Sequence, residues 1–307
     1  MFTKFGISYP FESNVQVMEN MYGSTTANFS SYLKLNELFT DFSIADRAFF
    51  RFGLHTVTWG AGYFFSPVSD MINTTSINPE DTDAQVEGCF NLRTQITFPG
   101  TQNCLWFYVI PSTNFKSDYT AETYAKETAF AAKTDILLGN WEFGLGGFYK
   151  YKSPVKAMLT ATGSLKKISF FGEFVYQHGT ENQWTNNLDK DSVFYVTAGL
   201  SYYWKEPLIT FAAQYYFDSN DEDVKHIYVT KGHNIAAFVN FGRIFGTTDF
   251  TINIFGMANF GKDELSPMLE QMLSSMGINS SYLSSITTSV MFNYSPVKSM
   301  TLSCGPY

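Results

Sequence analysis

Apolar and polar side chains alternate with a period of two along most of this sequence, and that constrains the fold more than any other feature. Successive side chains of an extended strand point to opposite faces, so the alternation gives each strand one apolar face and one polar face. Phe50, Phe52 and Leu54 alternate with Arg51, Gly53 and His55, and Trp141, Phe143 and Leu145 alternate with Glu142, Gly144 and Gly146. Val86, Gly88, Phe90, Leu92, Thr94 and Ile96 form one row, while Glu87, Asn91, Arg93, Gln95 and Thr97 form the other. Phe250, Ile252 and Ile254 are interleaved with Thr251 and Asn253. In each case one row suits lipid and the other suits water. Strands are expected near 3–9, 14–22, 27–35, 38–45, 49–59, 85–98, 103–110, 125–138 and 141–151. The series continues at 155–164, 167–177, 191–204, 207–217, 226–242, 248–258, 284–294 and 298–305. Most of those from residue 85 onward reach the ~10 residues that a tilted strand needs to cross a bilayer.

The connections between these segments alternate between long and short. Long ones fall at 60–84, 111–124, 178–190, 218–225 and 259–283. Short ones fall at 99–102, Gly139-Asn140, 165–167, Lys205-Glu206, 243–247 and 295–297; Lys152 to Pro154 is short where the order calls for a long one. Long loops on one rim and tight turns on the other are what an outer-membrane barrel shows, whereas a soluble sandwich has no reason to sort loops by length. The expected fold is all-β: a single domain over 1–307 forming a transmembrane antiparallel up-and-down barrel of roughly 16–18 strands, wide enough to leave a lumen.

Composition agrees and excludes the helical alternative. Aromatic residues make up 18% of the 307 and charged residues only 16%, yet mean hydropathy is −0.10. No stretch approaches the ~18 consecutive apolar residues of a membrane helix. Met1-Phe2-Thr3-Lys4 is not followed by the apolar core of an export signal, so the sequence is expected to begin after one; further residues are likewise expected beyond Tyr307. Cys89, Cys104 and Cys304 have no metal-ligand spacing and are expected as free thiols.

Charge and aromatic rings sort by rim. The long connections hold Asp70, Glu80, Asp81, Asp83, Asp118, Glu122, Glu181, Asp189, Asp218, Asp221, Glu222 and Asp223, and the short ones hold Lys152, Lys166, Lys167, Lys205, Arg243 and Lys298. Much of the net charge of −8 is thereby assigned to one rim. Tyr149 and Tyr151, Tyr202 to Trp204, Tyr215 to Phe217, and Phe292 and Tyr294 gather at strand ends, where aromatic belts meet the headgroups.

The stretch from Arg51 to Gly60, ending in Trp59-Gly60, runs into a segment with Pro67, Asp70, Ile72, Asn73, Asn78, Pro79 and Asp81, followed by Gly88, Arg93 and Pro99. At these residues the sequence resembles a group of outer-membrane barrels that includes DUF1302-like and alginate-export-like proteins, in which a strand ending in Trp-Gly opens a loop with Asn-Pro and Asp. The resemblance implies an outer-membrane channel or exporter in a diderm bacterium.

Candidate pore-lining residues on the water-facing rows are Arg51, Glu87, Arg93, Glu142, Lys150 and Glu173; candidates in the loops or at the mouth are Trp59, Asp70, Asp81, Asp83 and Met272. Trp59 is expected to anchor at the membrane interface in preference to touching a ligand. A short helix is expected at 266–277, capped by Ser266 and Pro267 and stopped by Gly277, with Met268, Leu269, Met272, Leu273 and Met276 on one face. It serves either to enter the pore mouth or to cap the rim. His55, His178, His226 and His233 form no metal pattern, and no Gly-x-Ser-x-Gly or nucleophile–base set is present, so neither catalysis nor a cofactor is expected. The acidic balance argues against nucleic acid. Membrane lipid and small solutes are the expected partners. The leading functional expectation is a porin-like channel for passive diffusion; the rival is a filled barrel that binds partners through its acidic loops, as an adhesin does.

Overall fold

The computed structural model describes residues 2–8, 32–79, 86–112, 120–220, 232–244, 246–260, 285–297 and 300–304. They form one 15-stranded antiparallel sheet whose spatial order is the order of the sequence. The strands are β1 (Phe2–Ser8), β2 (Tyr32–Ile44), β3 (Ala48–His55), β4 (Cys89–Thr97), β5 (Cys104–Ile110), β6 (Ala129–Leu138), β7 (Trp141–Lys150), β8 (Val155–Leu165) and β9 (Ile168–His178). They continue with β10 (Ser192–Trp204), β11 (Ile209–Asp218), β12 (Gly232–Phe241), β13 (Phe250–Phe260), β14 (Ser285–Val297) and β15 (Met300–Cys304). Two short helices, α1 (Ala121–Glu127) and α2 (Glu181–Thr185), lie in long connections on the same rim.

The alternation read from the sequence sets the two faces. On β7, Leu145 is 58% exposed on the outer face while Gly144 is buried on the inner one. Leu159 of β8 and Phe130 of β6 are 51% and 49% exposed on the same outer face. An apolar belt this continuous has no place in water and is what a lipid-facing wall requires. Among the described residues no helix is long and apolar enough to cross a membrane, and the three cysteines are free.

Several boundaries differ from expectation for local reasons. The described parts of the segments expected at 27–35 and 38–45, residues 32–35 and 38–44, belong to one strand, β2, whose pairing with β1 shifts register between Lys4 and Phe5; Asn36 is absorbed there as a bulge. Residues 14–22 and 27–31 and the expected helix at 266–277 lie outside the described residues. Residues 125–127, expected as strand, close α1 instead. There Thr120 accepts from the Thr123 amide at the N-terminus, and the Lys126 ammonium meets Glu122 at 2.6 Å one turn earlier. The 151–154 turn falls between β7 and β8 on the rim of the long connections, so Lys152 belongs with the acidic loops and not with the cationic turns.

The largest departure is at the end of β3. Pairing stops at His55, and residues 56–59, expected to continue the strand, turn to the inner side of the sheet. Trp59 packs edge-on to Tyr108 of β5 with ring centroids 5.0 Å apart, and Phe64 packs against Phe255 of β13 at 5.7 Å. Five residues of chain reach at most about 18 Å, whereas eight strand spacings on a flat sheet measure about 38 Å. One short segment touches both strands only because the sheet curves around it.

Candidate functional site

The inward segment is one continuous element from Val57 to Pro79, and its apolar residues explain why it leaves the rim. Val57, Trp59, Val68, Met71 and Ile72 bury themselves with the inner-face residues Tyr108, Ala131, Met158 and Val175 of β5, β6, β8 and β9. Phe64 and Phe65 do the same with Ala212, Tyr216, Ala236, Phe255 and Met257 of β11, β12 and β13. Each fully buried side chain of this kind contributes roughly 1.5–3 kcal/mol. Tyr63 adds a ring stacked on Phe238 of β12 at 5.1 Å.

Between the two apolar contacts the loop backbone has polar groups with no regular partner, and two wall side chains supply the partners. Glu173 of β9 is 3% exposed. Its Oε1 accepts from the Gly62 amide at 2.7 Å and its Oε2 from the Val68 amide at 3.1 Å, and the Ser66 hydroxyl donates to it at 3.1–3.2 Å. Gln214 of β11 accepts at Oε1 from the successive amides of Tyr63 (2.9 Å), Phe64 (2.7 Å) and Phe65 (3.4 Å). Its Nε2 donates to Phe65 O and to Thr197 Oγ1 of β10, both at 2.6 Å. A buried carboxylate that takes this many donors holds them more strongly than a neutral acceptor does.

The approach is close enough to require glycine. A Cβ on Gly60 would lie 2.2 Å from both Glu173 Oε1 and Ser66 Oγ, and one on Gly62 would lie 1.8 Å from the Phe65 carbonyl oxygen. The ends of the segment are tied locally. The Val57 amide donates to Asn73 Oδ1 at 2.9 Å and Asn73 Nδ2 returns a bond to Val57 O at 2.8 Å, so a side-chain amide stands in for a paired strand. Ser69, in a single 3-10 turn (Ser69–Met71), accepts at Oγ from the Trp59 amide at 3.1 Å and the Gly60 amide at 3.0 Å. On β6, Lys133 donates to Trp59 O at 2.8 Å and pairs with Asp135 at 2.9 Å; Asp135 in turn accepts from Trp106 Nε1 at 2.7 Å.

Asp70 sits within this dock, its Oδ1 sealed from solvent. Burial, and secondarily the charge of Glu173, push its carboxyl well above the usual carboxylate range, against the lowering influence of the Ser76 hydroxyl and the Lys156 cation.

Of the residues singled out from the sequence, the structure gathers Trp59, Asp70 and Glu173 in the dock. Trp59 is 5% exposed inside the barrel and does not stand at the membrane interface; Asp70 lies within the dock and not in a solvated rim loop. Arg51 and Arg93 stand in direct register on the inner faces of β3 and β4. Arg51 makes a two-pronged ion pair with Asp41 of β2 at 2.7 and 2.8 Å and lies 3.9 Å over the Phe39 ring, while Arg93 lies 5.5 Å over Trp106. Glu142 and Lys150 occupy opposite ends of the inner face of β7. Glu87 precedes β4, and its backbone, not its strand pairing, holds the loop: its carbonyl accepts from the Thr74 amide and its amide donates to Thr75 Oγ1. Asp81, Asp83 and Met272 lie outside the described residues. Gln214, Ser66 and Ser69 were not anticipated. The available signal was the run of small inner-face residues Ala131, Ala212 and Ala236, which leave room for an apolar loop.

No metal-holding group of three or more His, Cys, Asp or Glu occurs among the described residues. No protein-family model matches the chain, and no curated protein does. Among solved structures it is similar to Pseudomonas aeruginosa OccK11 (OpdR), with TM-score 0.54 at 8% identity over 89% of this chain and 74% of that one. It is also similar to Pseudomonas aeruginosa OccK10 (OpdN), with TM-score 0.51 at 9% identity over 84% of this chain and 73% of that one. At this identity the likeness establishes architecture: the chain has the fold of an all-β, antiparallel up-and-down barrel like theirs.

Proposed function

We propose that this chain is an outer-membrane channel of a diderm bacterium through which small hydrophilic solutes diffuse, narrowed by the inward segment 57–79. The observation that carries this reading is the dock itself. A loop pinned inside a barrel by Glu173 and Gln214 sets an aperture, and a fixed aperture with a polar wall opposite is how a passive channel selects. The fully buried partners of the loop among the described residues run from β5 to β13, with Cys89 of β4 at their edge, so this reading takes the solute path along the β2–β4 wall, past Arg51 and Arg93. Glu87, Glu142 and Lys150 contribute to its two ends. The reading assigns no catalytic residue and no cofactor.

Single-channel recording of the purified protein in a planar bilayer, with reversal potential under a salt gradient, tests it. Discrete, stable openings are expected, and the sign of the reversal potential reports which ions the Arg51–Arg93 wall favours. Electrical silence from protein shown to be folded and inserted would overturn the channel and leave a filled barrel that works through its acidic rim.

A further inference from the structure

The outer face between β5 and β8 is not uniformly filled. In register, Ala132 of β6 pairs with Phe107 of β5 and with Gly147 of β7, and Gly147 pairs with Ala157 of β8. Three neighbouring strands therefore carry almost no side chain at one level. The row toward the long-connection rim holds Val109, Phe130 and Tyr149, and the row toward the other rim holds Leu145 and Leu159. The result is an almost wholly apolar groove of about 440 Å³, walled by Phe107, Val109, Phe130, Tyr149 and Val155. Left empty against the membrane, its lining atoms would have no contacts on one side.

Two ammonium groups stand on the rim above the groove, among connections that also carry acids such as Glu122 and Glu127. Tyr151 follows Tyr149 by two residues, and the ammonium groups of Lys126 and Lys152 lie 5.6 and 5.9 Å from its ring centroid. Lys126 is shared with Glu122 at 2.6 Å, whereas Lys152 has no carboxylate partner among the described residues. An apolar groove capped by two ammonium groups matches an amphiphile of the opposite design. A free phosphate satisfies only the lysines, and a second copy of the chain accounts only for the groove.

We propose that this face is a binding site for a membrane lipid with a phosphate-bearing anionic headgroup. One acyl chain fills the groove over Ala132, Gly147 and Ala157, and the headgroup lies at Lys126 and Lys152. The site rests on the membrane reading given above, because the groove faces lipid only if the outer belt does.

Native mass spectrometry of the full chain, released from detergent micelles containing phosphatidylglycerol, phosphatidylcholine or inorganic phosphate, tests it. The expected result is a one-to-one phosphatidylglycerol adduct that survives at about tenfold lower lipid than the phosphatidylcholine adduct, with no phosphate adduct. Ala132→Leu with Ala157→Leu fills the groove and should abolish retention of both lipids. Lys126→Gln with Lys152→Gln, both at the solvated rim where folding is not at stake, should retain lipid but erase the preference. Unchanged retention in the groove variant, an unchanged preference in the lysine variant, a phosphate adduct alone, or a dimer mass in place of a lipid adduct would each overturn the site. Protein that conducts in bilayers yet retains no lipid refutes this inference alone; protein that does not insert refutes the membrane reading beneath it.

Discussion

Two long connections leave the same rim of this barrel and end in different places. Residues 57–79 turn into the lumen, whereas residues 179–191, which carry α2, stay at the rim. The difference lies in what each has to bury. The first brings Val57, Trp59, Phe64, Phe65, Val68, Met71 and Ile72, all buried. The second is almost wholly polar and satisfies itself: Thr180 and Gln183 form a capping box, Gln183 binds Asp191 at 2.6 Å, and Trp184 Nε1 donates to His178 O at 2.7 Å. A loop enters the lumen where the inner wall offers apolar contact and fixed polar partners, and it stays outside where its own side chains close its hydrogen bonds. The contrast can be broken at either end.

The largest effect is expected from removing apolar contact. Phe64 is 1% exposed and packs against Phe238 and Phe255. Phe64→Ala should cost the docked loop about 3–5 kcal/mol. Limited proteolysis within 57–79 should accelerate and single-channel conductance should rise. If both are unchanged, apolar burial is not what draws the loop inward.

Next is Glu173→Ala, which strands the Gly62 and Val68 amides and the Ser66 hydroxyl. Bonds to a charged acceptor of this kind are worth about 1.5–3 kcal/mol each, discounted here because lumen water reaches the freed donors. Conductance should rise with larger open-state noise, and Glu173→Gln should restore part of the wild-type behaviour because one acceptor oxygen remains. An Ala variant as quiet as wild type would make the Gln214 contacts sufficient by themselves.

How much of this was legible in the sequence follows from the same contrast. The period-two rows read as outer and inner faces, because solvent on one side and lipid on the other dictate them residue by residue; Arg51, Arg93 and Glu173 read as polar-row residues by that means. The alternation of loop lengths gave the up-down order for the same reason. The interior dock was not legible. Trp59 reads as an interface anchor because it ends a strand before a glycine, and Asp70 reads as a solvated loop acid because most loop acids are. Glu173 and Gln214 look like any lumen-lining polar residue until the strand neighbours are known. One signal was present and passed over: a stretch as apolar as 57–72 has no business in a water-exposed loop. The start of β6 also differs from the reading: residues 125–127 read as strand but close α1, since Ala125 suits a helix as well as a strand face.

Protonation should tune the inward loop in a direction fixed by Asp70. Its carboxyl is held well above 3.8 in the docked state, first by burial and then by the Glu173 charge, so the docked loop binds a proton that the released loop gives up. Docking therefore weakens as pH rises from the ordinary carboxylate value through the raised one, and changes no further above it. Proteolytic protection of 57–79 should fall over that window. Asp70→Asn should flatten the profile and protect the loop at neutral pH. A wild-type profile with no slope would remove Asp70 from the energetics of docking.

The smallest effect belongs to the rim. Thr180 caps α2 by accepting from the Gln183 amide at 3.2 Å, while Gln183 Oε1 accepts from the Thr180 amide at 3.1 Å. Thr180→Ala removes the first bond and should cost about 1 kcal/mol, confined to 180–191. Hydrogen exchange of those amides should quicken by roughly fivefold, the factor that 1 kcal/mol represents in an opening equilibrium. Conductance and protease protection of 57–79 should not change, because α2 shares no side chain with the Glu173 or Gln214 contacts. If conductance does change, the two connections are coupled through β9, where Gln177 binds Gly179 O at 2.9 Å four residues beyond Glu173, and the lumen and the rim cannot be treated as independent.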